Sequence, residues 1–170
     1  AASQTDSSHN GFVIMTTYHI HINGQVQGVG FRPFVYKLAE KLGLKGWISN
    51  SNHGVHIEFN AAPGVAAQFY RTIINRPPRH SIITHHHIHE IPFRPFSSFV
   101  IKESIENGKP NLLFTPDIAI CDECKMEVLR NNNRWFNYPF TTCLHCGPRY
   151  SIINNLPYDR ANTTMAPLPT

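Results

Sequence analysis

A chain of 170 residues holds one ordinary domain, or a small domain with an appendage. It is 41% hydrophobic, no apolar run approaches the ~20 residues a bilayer crossing needs, and the apolar stretch Phe12-Val13-Ile14-Met15 is too short for a signal peptide, so a membrane role is not expected. A net charge of +4 suits an anionic substrate, whereas the lack of a Lys/Arg run or a basic stripe interleaved with aromatics disfavours nucleic acid.

Residues 1–16 begin small and polar and are expected to form a disordered leader. Thr17-Tyr18-His19-Ile20-His21-Ile22 alternates, which places Tyr18, Ile20 and Ile22 on one face of a strand. A glycine-rich loop, Gly24-Gln25-Val26-Gln27-Gly28-Val29-Gly30, then leads into a helix in which Phe31, Phe34, Val35, Leu38, Ala39 and Leu42 recur at helical spacing. Pro33 suits its first turn and Gly43 its end, and the Phe34/Leu38/Leu42 stripe is expected in the core. Leu44 to Ser49 reads as a strand, 50–54 as a turn and Val55 to Phe59 as the returning strand. Pro63 opens a second helix with a buried stripe of Val65, Phe69, Tyr70, Ile73 and Ile74, ended by Arg76-Pro77-Pro78. Ile82 to Ile91 and Ser98 to Lys102 are further strand-like runs.

The order β-α-β-β-α-β with one short extra strand is the split βαβ plan of a ferredoxin-like α+β sandwich, one antiparallel sheet carrying both helices on one face. That domain is expected over 17–103, a polar linker over 104–115, and a second region over 116–170 organised by cysteine spacing rather than by periodicity.

The glycine loop is a candidate phosphate cradle. Consecutive N–H groups at a helix N-terminus form a concave anion site, and Arg32 at its lip can hold a phosphate oxygen through two hydrogen bonds. It is not a Walker-type loop, because Gly30-Phe31-Arg32-Pro33 lacks the Lys and hydroxyl that pattern needs, and Pro33 stands where the dinucleotide fingerprint wants a glycine. On glycines alone, a simple strand–helix connector is an equal alternative.

Cys121-x2-Cys124, eighteen residues, then Cys143-x2-Cys146 has the spacing of a tetrathiolate zinc site in a reducing compartment, here the cytoplasm. Four sulfurs leave no open position, so Zn²⁺ would be structural, with His145 a possible substitute ligand. The intervening aromatics Trp135, Phe136, Tyr138 and Phe140 could stack bases but suit the small core of a metal module better. Histidines gather at His19, His21 and His85-His86-His87-x-His89. If the first and fourth strands are neighbours, outward imidazoles could collect Ni²⁺ or Zn²⁺; a polar sheet face is the plainer reading.

Gly24-Gln25-Val26-Gln27-Gly28-Val29-Gly30-Phe31-Arg32 together with Gly46-Trp47-Ile48-Ser49-Asn50 closely resembles the acylphosphatase signature. The resemblance implies a ferredoxin-like hydrolase of acyl phosphates. In it Arg32 binds the phosphoryl group with backbone N–H groups of Gln27, Gly28, Val29, Gly30 and Phe31, and Asn50 orients the attacking water. Adding 116–121 (Pro-Asp-Ile-Ala-Ile-Cys), 138–140 (Tyr-Pro-Phe), 143–150 and 156–160 (Leu-Pro-Tyr-Asp-Arg), the chain resembles the N-terminal region of HypF-type carbamoyltransferases of nickel–iron hydrogenase maturation. That resemblance implies carbamoyl phosphate as substrate, later domains that adenylate the carbamate, and a HypE-type partner that receives the carbamoyl group. The family carries a second pair of cysteine knuckles expected just past Thr170, so the zinc region is expected to be truncated and its metal binding open. The competing reading is a non-catalytic phosphate-binding and zinc-dependent interaction module for protein or nucleic acid.

Overall fold

Alternation along the first strand sets the architecture. In β1 (Thr16–Gln25) Tyr18, Ile20 and Ile22 are buried while His19 and His21 stay half-exposed. The computed structural model describes residues 15–105, 119–143, 145–147, 150–157 and 159–167; the expected leader (up to residue 14) and most of the expected linker (from 106) lie outside them.

The chain continues through α1 (Phe31–Lys41), β2 (Lys45–Ser51), β3 (Gly54–Ala61), α2 (Pro63–Asn75), β4 (Ile82–Ile91) and β5 (Phe99–Ile101). The sheet order is β4-β1-β3-β2-β5. β1 pairs antiparallel with β3 and β4, and β2 antiparallel with β3. This is the ferredoxin-like sandwich, with one departure from a wholly antiparallel sheet. β5 pairs parallel to β2, Gly46 opposite Phe99 and Ile48 opposite Ile101. The chain crosses from β4 at one edge to β5 at the other through residues 92–98 rather than by a hairpin onto β2, and β5 so runs in the same direction as β2. Ser104 and Ile105 continue along the same edge, where the Ile105 N–H donates to the Asn50 carbonyl at 2.8 Å.

The core fills the space between sheet and helices with Ile20, Ile22, Ile48, Val55, Ile57 and Phe59 from the strands. From α1 the deepest residues are Phe31, Val35 and Ala39; Phe34, Leu38 and Leu42, expected as the core stripe, pack half-buried at its margin. From α2 they are Ala66, Phe69 and Ile73. Phe59 and Phe69 meet edge to face at 4.8 Å, a contact worth about 1 kcal/mol beyond burial.

After the domain come α3 (Asp122–Leu129) and two single 3₁₀ turns, Tyr150–Ile152 and Arg160–Asn162. Among the described residues there, buried apolar side chains are few: Cys124, Cys146, Leu156 and Pro157. No helix of the described residues is long and apolar enough to cross a membrane.

Gly46 sits where β2 passes closest to β3. A Cβ at this position would lie 2.0 Å from the Glu58 carbonyl oxygen and 2.7 Å from the Phe59 Cα, both backbone atoms that cannot swing aside. Gly46→Ala is expected to destabilise the domain by at least ~2 kcal/mol, at the severe end of overpacking, measured by urea unfolding. A midpoint unchanged from the parent would contradict this packing.

Candidate active site and metal centre

The cradle is built by anchoring side chains of the β1–α1 loop. Val26 and Val29 are each 1% exposed and belong to the core, while Gln27, Gly28, Gly30 and Phe31 line the cleft described below. Gly28 (φ 72°) and Gly30 (φ 77°) take left-handed conformations on either side of Val29, and Gly30 caps α1. A side chain at either glycine would be strained, and alternating backbone handedness at a helix start is the geometry of an anion-binding nest. Gln27 contributes in a way its sequence position does not announce. Its side chain is buried, with Nε2 donating to the carbonyls of Ser51 (2.8 Å) and Gly54 (3.3 Å), so it ties the loop to the β2–β3 turn.

That tie brings Asn50 to Arg32. With its carboxamide oxygen turned toward the guanidinium, Asn50 Oδ1 accepts from Arg32 Nε at 3.1 Å and Nη2 at 3.2 Å. Asn50 is almost wholly buried, so this planar two-donor clamp fixes the arginine's direction. Arg32 also reaches the Ser104 hydroxyl through Nη1 at 3.4 Å.

A carboxylate stands at the same guanidinium. Asp159 Oδ1 accepts from Arg32 Nη2 at 2.8 Å, across 127 residues of sequence. The second region thus lies over the cradle. Loop and region together enclose a cleft of about 950 Å³ lined by Gln27, Gly28, Arg32 and Asn50 on one side and by Trp135, Tyr138, Phe140 and Asp159 on the other. Of the aromatics expected to form a small internal core, Trp135, Tyr138 and Phe140 instead border this cleft. Trp135 and Tyr138 lie 5.6 Å apart, Tyr138 and Phe140 5.8 Å apart, and Phe136 and Phe140 are exposed.

The four cysteines converge. Cys121 caps α3 and Cys124 lies in its first turn, so the first pair sits at a helix start rather than on a free turn. Sulfur separations are 3.6 Å for Cys121–Cys143, 3.8 Å for Cys124–Cys146 and 3.9 Å for Cys143–Cys146. A tetrahedral tetrathiolate with metal–sulfur bonds near 2.3 Å requires about 3.8 Å between sulfurs, so the set fits a metal ion without a fifth donor. Burial pushes the Cys124 and Cys143 thiols up from their ordinary value; a divalent cation reverses that balance and holds them as thiolates. The positive end of α3 and the His145 N–H donated to Cys143 Sγ (3.3 Å) favour the same charge. The His145 side chain turns away, toward Arg79 and His80, and is no substitute ligand in this arrangement.

The structure therefore brings Arg32, Asn50 and the Gln27–Phe31 backbone together, and the four cysteines together. Sequence reasoning missed the ion pair with Asp159, the Ser104 contact and the side-chain role of Gln27. Asp159 lies in the Leu-Pro-Tyr-Asp-Arg stretch already singled out, but nothing local to it signals a carboxylate aimed at residue 32.

Comparison with known proteins finds two matched stretches. Residues 18–101 match the Acylphosphatase family and residues 120–153 the HypF finger. An acylphosphatase of Bacillus pumilus is 36% identical over 90 residues, which span 99% of that protein and 52% of this chain. The chain belongs to the acylphosphatase family. Its domain is of enzyme type, and the finger joined to it matches HypF. Carbamoyltransferase HypF of Synechocystis sp. is 40% identical over 153 residues, covering 90% of this chain and 20% of that protein. A probable carbamoyltransferase HypF of Methanocaldococcus jannaschii is 41% identical over 154 residues, covering 89% and 20% respectively. The crystal structure of a full-length HypF in phosphate- and nucleotide-bound form superimposes with a TM-score of 0.83 at 38% identity, over 92% of this chain and 21% of that one. This chain spans about a fifth of the length of these relatives.

An anion entering the cradle must compete with Asp159 for Arg32. Both side chains are partly exposed, so the pair is worth at most about 1 kcal/mol. Asp159→Asn is expected to tighten inorganic phosphate binding about two- to fivefold, read by calorimetric titration. Weaker binding in the variant would show that the carboxylate supports the anion site instead of opposing it.

Proposed function

We propose that the cradle hydrolyses acyl phosphates, with carbamoyl phosphate as its substrate, releasing phosphate and carbamate. The observation that carries this reading is the convergence of the glycine loop, Arg32 and Asn50 at one cleft. N–H groups of residues 27–31 and the Arg32 guanidinium bind the phosphoryl oxygens and neutralise their charge. Asn50 holds a water for in-line attack while its oxygen steadies Arg32. The water oxygen bonds to phosphorus, the bridging P–O bond breaks toward the acyl side, and the water's proton passes to the departing or phosphate oxygens. An acyl phosphate has a good leaving group, so positioning and electrostatic stabilisation suffice without a strong base.

Four-coordinate Zn²⁺ held by Cys121, Cys124, Cys143 and Cys146 is the cofactor we assign, in a structural role. A reduced tetrathiolate belongs to a reducing compartment, which supports the cytoplasm. The similarity to HypF supports further domains that take up the carbamate and a HypE-type protein as final recipient.

Arg32→Ala is expected to reduce phosphate release from carbamoyl phosphate at least ~100-fold, the scale of losing a transition-state donor, while far-UV circular dichroism stays that of the parent. Asn50→Ala is expected to lose comparable turnover but keep more of its affinity for inorganic phosphate. Undiminished hydrolysis by Arg32→Ala would leave phosphate binding without turnover as the function.

Elemental analysis of the reduced chain, with His87→Gln/His89→Gln introduced to remove exposed imidazoles as competing ligands, is expected to find one zinc per molecule, absent when Cys124→Ser is added. Chelation should then loosen the region from residue 119 onward and spare the sandwich, whose core is separate. Zinc retained at full occupancy once Cys124→Ser is added would reject the tetrathiolate assignment.

A further inference from the structure

The face of the sheet turned away from the helices carries an array of imidazoles. Strand register lines up His89, His19 and Glu58 in one row across β4, β1 and β3, and His87, His21 and His56 in the next. Among them, His19, His87 and His89 can each offer a ring nitrogen such that all three lie within 4.8 Å of one another. None of the three lines the cleft over the cradle.

We propose that His19, His87 and His89 form a second metal site, separate from the cysteines, for a divalent ion of the zinc–nickel–copper class. Three arguments lead there. Neutral imidazole is a good ligand for these ions, and three on a rigid sheet leave positions open for water. The spacing also suits them. Nitrogens bound at about 2.1 Å sit ~3.4 Å apart in a tetrahedral shell, so small rotations of the exposed His87 and His89 complete the set. The central ligand is already oriented. His19 Nε2 is hydrogen-bonded to His56 Nδ1 at 3.1 Å, and His56 Nε2 to the Ser51 hydroxyl at 3.1 Å, a relay of the kind that fixes ligating histidines and leaves one ring nitrogen of His19 for an ion. His21, which donates from Nε2 to the His53 carbonyl at 3.0 Å, is not among the convergent nitrogens.

The site is tested on the full, reduced chain after one equivalent of Zn²⁺ has filled the cysteines. Ni²⁺ is then titrated calorimetrically into the parent, into the double variant His87→Gln/His89→Gln, and into His86→Gln, whose imidazole contacts Tyr70 instead. The parent is expected to bind one further equivalent with micromolar affinity and no thiolate-to-nickel charge-transfer absorption. The double variant should lose at least ~100-fold, since an outer-shell partner alone is worth about 10–100-fold. His86→Gln should bind as the parent does. Paramagnetic broadening by Ni²⁺ of the His19, His87 and His89 ring protons in the parent gives a readout independent of any variant's folding. No further equivalent, unchanged affinity in the double variant, thiolate bands, or broadening confined to other histidines would each overturn the proposal.

Discussion

The Gln27 carboxamide is the joint on which the candidate active site depends. β1 and β2 flank β3, so the β1–α1 loop and the β2–β3 turn emerge at the same end of the sheet. Adjacency alone would leave two independent loops. Gln27 Nε2 bridges them by donating to the carbonyls of Ser51 and Gly54, while Val26 and Val29 bury on either side of it. Breaking that bridge would strand buried acceptors, at a cost of about 1–3 kcal/mol each. The loop is therefore part of the core rather than a flap over it. On the proposed hydrolysis, donors held this way would need no reorganisation when charge develops on a bound phosphoryl group.

The finger depends on a different balance. With only Cys124, Cys146, Leu156 and Pro157 as buried apolar side chains among its described residues, it cannot be held together by hydrophobic burial. Its cysteines do that work once a cation binds them, and their geometry in turn sets where Asp159 and the aromatic row Trp135-Tyr138-Phe140 stand relative to Arg32. The two regions meet at the cradle: the cysteine cluster stands behind one wall of the cleft and the sheet behind the other. Gly147 lies against this junction, where a Cβ would stand 3.9 Å from the Gly28 carbonyl.

Local signals carried most of the fold. Period-two alternation in β1, helical spacing from Phe31 to Leu42, and turn residues at 50–54 each act over a few positions, which is the range at which a sequence can be read. The cysteine spacing is equally local within each pair, and the convergence of the pairs follows from the valence of a metal. What escaped notice was non-local or a matter of side-chain direction. The parallel pairing of β5 depends on a connection that crosses from one edge of the sheet to the other. The Arg32–Asp159 pair joins positions 127 residues apart and has no pattern to announce it. Gln27 was expected to act through its backbone N–H, and only the buried carbonyls of another loop reveal what its amide holds.

β1 shows how one strand can serve three environments. Its even positions Tyr18, Ile20 and Ile22 face the helices, its odd positions His19 and His21 face the open side, and its end passes into the cradle. Because side chains alternate with a period of two, a slip of one residue against β3 or β4 would bury the imidazoles and expose the isoleucines, so a single register error would be felt on both faces at once. Pairing with β4 shifts register between Asn23 and Gly24, with Thr84 of β4 as the extra residue, and resumes at Gly24–Ile83 and Gln25–Ile82. Such an irregularity bends the strand that carries the extra residue and raises its local twist. The strict alternation that separates core from imidazole face thus runs through Asn23, and the last two residues of β1 lead from it into the glycine loop.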